Sequence, residues 1–488
     1  MNLLYRAPAS AGGSNAKCLK ALDEKIHFNK CVVVDQSAGE ADIYRGKKYV
    51  KISAEAGYSC QYDDILDTNK ISALNRELLE SMEKYKSTCL NMSIRNYNMY
   101  IGNYYEMESE YLTHLKFWNY IFENNDIDFV FLATIPHHMW EYTVYALAKC
   151  KKIPVLLVGP SHISGLAMVG TSIDNMGINM VNMCQSKINL KRTELHEIVE
   201  EYYNKSSKNH SCLSGKDKKQ RRKDYFYRFC YRNYYKPLIE KISREFDSYS
   251  LLKKDIGILM RIVYKRLKLV SISYYDRKAV SKVRDKKFVC FFLHLTPELT
   301  TLPWGGVFQN QLLAVRLLAQ ELEKKNIKLY VKEHWVQLYR EKEFYDELLS
   351  IPNVVCIKSS VDSYKLLKKS IAVATITGTI ISEAIIHKKP VITFTKSYWS
   401  GMDSVLFVND CKDISKFINY VLDGKIVISD NDVKRYFLAH ENGMVRFLLD
   451  LDDNAKICLK DVQMDIVGLI SKFIDEGLPE KFYYIREK

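Results

Sequence analysis

The chain has 488 residues, 47% of them hydrophobic and 27% charged, which excludes a wholly disordered or collagen-like polypeptide and leaves room for more than one core. No run approaches the roughly 18–20 uninterrupted apolar residues that span a bilayer, and no basic segment followed by a long apolar one opens the chain, so neither an integral membrane protein nor a secreted one is expected. A formal net charge of +14 favours polyanionic partners: nucleic acid, anionic lipid headgroups or phosphorylated substrates.

Taken in chain order, the first segment reads as strand, loop, helix and strand. Leu3-Leu4-Tyr5 opens it, a loop of small residues from Ala9 to Ser14 carries Gly12 and Gly13, a helical pattern runs through Leu19 and Leu22, and Cys31 to Asp35 is apolar and β-branched. Amphipathic helices follow over Ile71 to Leu90 and Glu106 to Asn125. The strand Phe129–Leu132 ends in Ile135-Pro136-His137-His138, and a helix from Met139 to Lys149 and the strand Val155–Val158 complete the unit. Alternating strands and helices imply a mostly parallel sheet.

From about Gln185 to Asp285 the pattern turns polar and basic. Lys216, Lys218, Lys219, Arg221, Arg222 and Lys223 precede interleaved aromatics and bases from Tyr225 to Lys236, and a second basic stretch covers Lys253 to Lys282. This region is expected to be helical, either docking on an anionic membrane through its basic and aromatic faces or forming a packed insert. Nucleic-acid binding is not expected, for want of a recognisable module.

Short apolar strands separated by amphipathic helices resume at Phe288 and continue through Val391–Thr395, the pattern of a second parallel sheet covered on both faces. Beyond about Asp410 the chain reads as helical. The expected divisions are 1–185, an N-terminal α/β domain; 186–285, a basic, aromatic-rich helical insert or linker; 286–425, a second, doubly wound α/β domain; and 426–488, a helical tail.

Ligands of open α/β sheets bind beyond the carboxyl ends of the strands, and four such loops carry chemistry. In Ala374–Ala384, Thr377-Gly378-Thr379 turns a strand into a helix whose first N–H groups suit phosphate, and Glu383, four residues after Thr379, lies on the same helical face and suits ribose hydroxyls; the plainer reading is a capped helix start. Lys332-Glu333-His334 ends a buried strand, where three ionisable groups need partners or a ligand. Lys332 suits phosphate and His334 suits the nucleotide or leaving group. In His294–Thr301, followed by Gly305-Gly306 and Gln311, Glu298 is placed to orient sugar hydroxyls or act as a base, unless the segment is an ordinary glycine turn. The adjacent rings of His137 and His138 diverge too much for a metal site and are read as acceptor-side groups or helix caps.

Other chemistries lack their motifs: no G-x-x-x-x-G-K-[ST], H-E-x-x-H, G-x-S-x-G or G-x-G-x-x-G occurs. The 12 cysteines stand singly, from Cys18 to Cys458, with no C-x-x-C pair; reduced thiols in a cytoplasm are expected, and no structural zinc.

The runs Leu293–Thr301, Val331–His334, Pro352–Val354, Ala374–Thr379, Glu383-Ala384 and Lys389–Val391 together resemble the capsule polysaccharide biosynthesis family of bacterial GT-B glycosyltransferase-like proteins, which includes relatives of the Kdo transferases. A weaker echo lies at Ile135-Pro136-His137. The resemblance implies an α/β, GT-B-like fold of two facing, doubly wound Rossmann-like domains, with a helical insert and tail. It implies a nucleotide-sugar donor, CMP-, UDP- or GDP-linked, held mainly by the second domain at Glu298, Lys332, Glu333, His334, Thr377, Gly378, Thr379 and Glu383. No separate cofactor and no obligatory metal are implied. Relatives usually carry Pro after the Glu-His pair, where Trp335 stands in this chain, a departure that bears on the local turn and on donor choice.

On this reading the protein is a glycosyltransferase, cytoplasmic or peripheral on the inner face of the plasma membrane, extending a surface glycan or lipid-linked glycan acceptor, with Glu298 and His334 as catalytic candidates. Gly12, Gly13, His137 and His138 are the acceptor-side candidates. A nucleotide-sugar epimerase of the same fold and a catalytically silent scaffold for polysaccharide assembly or export are the alternatives.

Overall fold

The computed structural model describes residues 1–7, 13–35, 46, 48–63, 65–67, 71–93, 104–163, 165–185, 197–207, 220, 223, 269–296, 298–337, 339–396, 401–447 and 459–477. The chain divides into two compact units. One comprises Met1–Asn96, Gly102–Val199 and Tyr436–Lys488, the other Tyr97–Ile101 and Glu200–Arg435. Of the segment 186–285 expected as a helical insert, residues 197–207, 220, 223 and 269–285 are described: Glu197–Ser207 and Ile272–Lys278 are helical and Leu269–Ser271 is a strand, while the rest, with most of the basic and aromatic run, lies outside the described residues.

Strands are numbered in chain order. The first unit contains β1 (Asn2–Arg6), β2 (Lys30–Asp35), β3 (Tyr49–Ser53), β4 (Phe129–Leu132), β5 (Val155–Pro160), β6 (Leu166–Gly170) and β15 (Val445–Arg446), in the sheet order β15-β6-β5-β4-β1-β2-β3. Strands β1 to β5 pair in parallel, while β6 turns back against β5 and β15 against β6. The central strands are buried on both faces, which explains their unbroken apolar runs such as FVFL in β4.

One face of this sheet packs Leu3, Tyr5, Val33, Phe131 and Val158 with Leu19 and Leu22 of the helix Gly13–Ile26, and with Ile466, Leu469 and Phe473 of the helix Leu459–Asp475. The C-terminal segment is thus part of the first core, and the tail read as helical also contributes the short strand β15. The helices Arg76–Met92, Tyr104–Asn124 and Met139–Cys150 bury Met82, Cys89, Trp118 and Trp140, the two indoles stacked 5.6 Å apart.

The second unit holds β7 (Leu269–Ser271), β8 (Phe288–Phe292), β9 (Lys328–Lys332), β10 (Tyr339–Glu341), β11 (Val354–Ile357), β12 (Ala372–Thr375), β13 (Val391–Thr393) and β14 (Val405–Phe407). Six of these form a sheet in the order β11-β9-β8-β12-β13-β14, parallel throughout. A separate antiparallel ribbon pairs β7 with β10. Val289, Phe291, Leu329, Val331 and Ala374 of the sheet pack with Leu318 and Leu322 of the helix Gln311–Glu323.

Both sheets are doubly wound, and each has one place where successive connections leave in opposite directions. In the first unit β1 leads to β2 and β3 on one side while β4 and β5 lie on the other, so the switch falls between β1 and β4. In the second, β8 leads to β9 and β11 while β12 to β14 lie opposite, so it falls between β8 and β12. These crevices, at the carboxyl ends of the strands, are where such sheets bind ligands. The α/β class with two Rossmann-like units is as expected from the sequence.

Candidate functional sites at the two switch points

In the second unit the loops after β8 and β12 meet on one side chain, His294. The Thr377 backbone N–H donates to its Nε2 at 3.0 Å, so that nitrogen is an acceptor and the neutral ring carries its proton on Nδ1. The Thr375 hydroxyl lies 2.9 Å from the same Nε2. Nδ1 faces the Thr300 hydroxyl at 3.1 Å, which donates to Glu298 Oε2 at 2.7 Å. Burial, reinforced by His334 and Arg340, pushes the His294 pKa down to about 3, so the ring stays neutral and the chain Nδ1–H, Thr300, Glu298 keeps its direction.

Two buried glutamines and an ion pair hold this loop from behind. Gln311 accepts the His294 N–H at 2.7 Å and donates to the His294 carbonyl at 3.1 Å and the Thr296 hydroxyl at 3.0 Å. Gln337 accepts the Thr296 N–H at 2.8 Å. Arg340 donates to both oxygens of Glu333, at 2.9 and 3.0 Å, and also to the His294 carbonyl at 2.9 Å. The His334 N–H donates to Glu333 as well, at 2.7 Å.

Glu333 is 1% exposed and Lys332 4%. Lys332 Nζ donates to the Ser359 carbonyl at 2.9 Å, and burial pushes its pKa down. The structure therefore places both behind the site, where their charges are met by protein groups, as buried charges require. The groups nearer the surface are Glu298, His334, Gly378, Thr379 and the half-buried Glu383.

His334 opens a turn in which the Gln337 N–H returns to its carbonyl at 2.9 Å. Its Nδ1 accepts the Val336 N–H at 3.3 Å, which leaves the neutral ring's proton on Nε2. Trp335 occupies the second position of this turn, a place that also suits proline; its ring stacks on His334 with centroids 6.0 Å apart.

Thr377 also donates to the Thr300 carbonyl at 3.1 Å, a second tie between the loops. A Cβ on Gly378 would meet Thr375 Oγ1 at 3.0 Å and the His294 ring at 3.3 Å, so glycine lets the backbone lie against the imidazole. The helix that Thr379 precedes, Ile380–Ile386, is only seven residues long, and two of its first donors are already used: Ile381 to the Gly378 carbonyl and Ser382 to that of Thr379. The Glu383 pKa is raised to about 7 by burial, opposed by the Tyr364 hydroxyl and reinforced by Asp362.

At the first unit's switch point stands a buried ion pair. Arg6, the last residue of β1, donates from Nε to Glu141 Oε1 at 3.0 Å and from NH2 to the Tyr58 hydroxyl at 2.8 Å, and it bonds the Ala7 carbonyl. Oε2 of Glu141 accepts the backbone N–H groups of His137 and His138, at 3.2 and 3.3 Å, closing the start of the helix Met139–Cys150. Burial opposes ionisation of Glu141, but His137, Arg6 and His138 together lower its pKa to about 2. The two histidine rings lie 4.6 Å apart, and Tyr58 meets His138 edge-on at 4.7 Å.

Gly13 is the first residue of its helix, and Gly12 lies outside the described residues. Among the described residues no group of three or more His, Cys, Asp or Glu could hold a metal ion, and no helix is long and apolar enough to cross a membrane.

Arg6, Glu141, Gln337 and Arg340 were not singled out by sequence reasoning. Arg6 and Glu141 each interrupt an apolar run, NLLYR and MWEYTVYALA. A charge that must be buried with its neighbours implies a buried partner, and that was the available signal.

A comparison with curated proteins finds no match. Among solved structures, similarity extends to the beta Kdo 2,4 transferase KpsC of Thermosulfurimonas dismutans, with 11% identity, 65% of this chain and 79% of that one covered, and a TM-score of 0.31. The UDP-GlcNAc 2-epimerase of Methanocaldococcus jannaschii gives 12% identity, 90% and 98% coverage and a TM-score of 0.26. That of Neisseria meningitidis, bound to UDP-GlcNAc, gives 13%, 97% and 100%, and 0.27. The architecture itself rests on the strand orders given above. Residues 173–403 match the model of the family described as capsule polysaccharide biosynthesis protein, and this segment carries the loops after β8, β9 and β12.

Proposed function

We propose that the protein transfers a sugar from a nucleotide-sugar donor to a glycan acceptor during assembly of a surface polysaccharide, and that the second unit holds the donor. The observation that carries this reading is the His294 knot. One neutral, buried imidazole ties the loops after β8 and β12 together at the switch point of a parallel sheet, in the segment matched by the capsule polysaccharide family. Such rigid support is what a site needs when it must hold a substrate in one geometry.

In this reading the nucleotide phosphates lie over Thr377–Thr379, with His334 beside the leaving group. Glu383 receives the ribose hydroxyls, and Glu298, held by Thr300, orients the transferred sugar. Lys332 acts through its field and Glu333 as a brace, and no metal is required. Charge that develops on the leaving phosphate is met by donors fixed in advance. A net charge of +14 supports work at an anionic cytoplasmic membrane face, where lipid-linked acceptors reside.

The test is a thermal-shift screen of the purified protein against CMP, UDP, GDP and their sugar conjugates, repeated with Glu383→Ala and His334→Ala. One nucleotide should raise the melting temperature of the parent protein, and both variants should lose most of the rise. If no nucleotide shifts the parent protein, the donor site is wrong and a scaffold role takes its place.

A further inference from the structure

The crevice of the second unit lies at the carboxyl ends of its strands, and the opposite edge of the same sheet carries a surface with its own chemistry. We propose that this amino edge docks on an anionic lipid bilayer, with residues 420–428 as the part that enters the headgroup layer. The proposal rests on the reading of work at an anionic membrane face and names the surface for it; no step of sugar transfer enters.

The charge follows from the register. All six strands run parallel, so their first residues share one edge. Lys328 opens β9 and pairs with Phe288, the first residue of β8, which follows Lys286 and Lys287. Lys368 and Lys369 end the helix Ser363–Lys369, just before β12. Neighbouring strands lie about 4.8 Å apart, so these lysines stand side by side across three strands. All five are exposed, and among the described residues none pairs with a carboxylate. Of the carboxylates at this edge, Glu321 is taken by Lys324, Asp423 by Lys425 and Asp430 by Lys388, while Asp285 accepts the Tyr330 hydroxyl. Glu323, at the end of its helix, is exposed, and the excess stays positive. Lysines near helix C-termini complement the helix dipole, which accounts for Lys368 and Lys369 but not for Lys286, Lys287 and Lys328, which precede or open strands.

Two contacts place an apolar segment at the same edge. Lys325, just beyond the helix Gln311–Glu323, donates to Asn419 Oδ1 at 2.7 Å, and Lys388, just before β13, meets Asp430 at 3.0 Å. Residues 420–428 lie between these two anchors. The helix Cys411–Leu422 ends there, and Gly424, with φ 69°, turns the chain. Val421 and Ile426 pack on the core and Ile428 is buried, whereas Tyr420, Leu422 and Val427 turn outward, 39%, 40% and 76% exposed. The Lys416 and Lys425 ammonium groups stand 5.9 and 5.5 Å from the centre of the Tyr420 ring.

This combination fits a bilayer surface. Apolar tips reach the acyl boundary, a tyrosine sits at headgroup level, and lysines meet lipid phosphates. A nucleic-acid strand would call for a row of stacking rings, and Tyr420 is the exposed aromatic among the described residues of the second unit; Leu422 and Val427 would gain nothing from such a strand. Strands of five residues such as β8 and β9, rising about 3.3 Å per residue, set the two edges about 16 Å apart, so the crevice of a docked unit faces away from the lipid and stays open to a water-borne ligand.

The experiment sediments the full chain with vesicles of phosphatidylcholine alone and of an equal mixture of phosphatidylcholine and phosphatidylglycerol, at low and high salt. It compares the parent protein with the combined variant Lys286→Gln, Lys287→Gln, Lys368→Gln, Lys369→Gln and with Leu422→Ser, Val427→Ser, each checked for folding by its melting curve. The parent should bind the mixed vesicles about tenfold or more tightly than the neutral ones, and the lysine variant should lose most of that difference. The serine variant should lose the binding that survives high salt, because salt screens charge and leaves apolar contact in place. Amide hydrogen exchange over residues 420–428 of the parent, slowed on mixed vesicles, needs no variant and decides if either variant fails to fold. Binding of both variants within about twofold of the parent, or unchanged exchange over residues 420–428 in the bound parent, overturns this surface and leaves the membrane reading to another part of the chain. Equal binding of the parent to both kinds of vesicle overturns the charge complementarity on which the proposal stands. Binding of a single-stranded oligonucleotide without binding to vesicles assigns the lysines to a soluble polyanion and overturns the bilayer. Absence of binding to any vesicle overturns the membrane-face reading as well, while the nucleotide screen judges the donor site separately.

Discussion

At the scale of single residues, the second unit's site depends on which charges are turned inward. Glu333 and Lys332 sit in a motif that reads as three ligand-facing groups, yet Glu333 is bound at both oxygens by Arg340 and Lys332 is capped by a carbonyl. The motif's place at the end of a buried strand was legible, but which of its members are turned inward was not, because that depends on Arg340, seven residues beyond Glu333, and Ser359, 27 beyond Lys332.

Glu383 gives a prediction whose sign is fixed. Its carboxyl ordinarily titrates near 4.5 and is raised to about 7 in the folded protein. Below the ordinary value both folded and unfolded chains are protonated. Between about 4.5 and about 7 the unfolded chain ionises first, so stability declines as pH rises through that window. Glu383→Gln removes this penalty. It should match the parent protein in urea denaturation at about pH 5 and exceed it in stability at about pH 8. A difference that does not change with pH would contradict the burial and partners described for this carboxyl.

At the scale of elements, the loop after β8 is built around a close backbone approach. A Cβ on Gly305 would lie 2.4 Å from the Thr301 carbonyl oxygen, and that contact is with backbone, which cannot swing aside. Gly305→Ala is expected to cost about 1–3 kcal/mol in chemical denaturation. It should also weaken nucleotide-sugar binding by displacing Glu298. Wild-type stability in this variant would show that the loop has room it does not display.

The elements most legible in the sequence were the buried parallel strands, since FVFL and FVCFF read as apolar runs whatever their neighbours. The edge elements were harder. β3, YVKIS, is partly exposed and mixed in composition, and β15 has two residues and forms only because residues 445–446 return to β6 across the length of the chain. Such pairing is a tertiary choice that local propensity does not encode. The Arg6–Glu141 pair, 135 residues apart in sequence, was hidden for the same reason.

At the scale of the whole molecule, each of the two doubly wound units offers a crevice at its own switch point, with different chemistry in each. The second carries a neutral histidine knot, threonine hydroxyls and a carboxyl raised in pKa; the first carries a histidine backed by a buried carboxylate and arginine. The proposed division into donor and acceptor halves is drawn from that contrast, and with the segment that matches the capsule-family model it makes sugar transfer the central claim. The measurement that tests it most directly is mass-spectrometric analysis of the products formed from nucleotide sugars and oligosaccharide acceptors. The account predicts an oligosaccharide heavier by one sugar, with one nucleotide released for each sugar added. An intact nucleotide sugar converted to its epimer, with the acceptor unchanged, would contradict it.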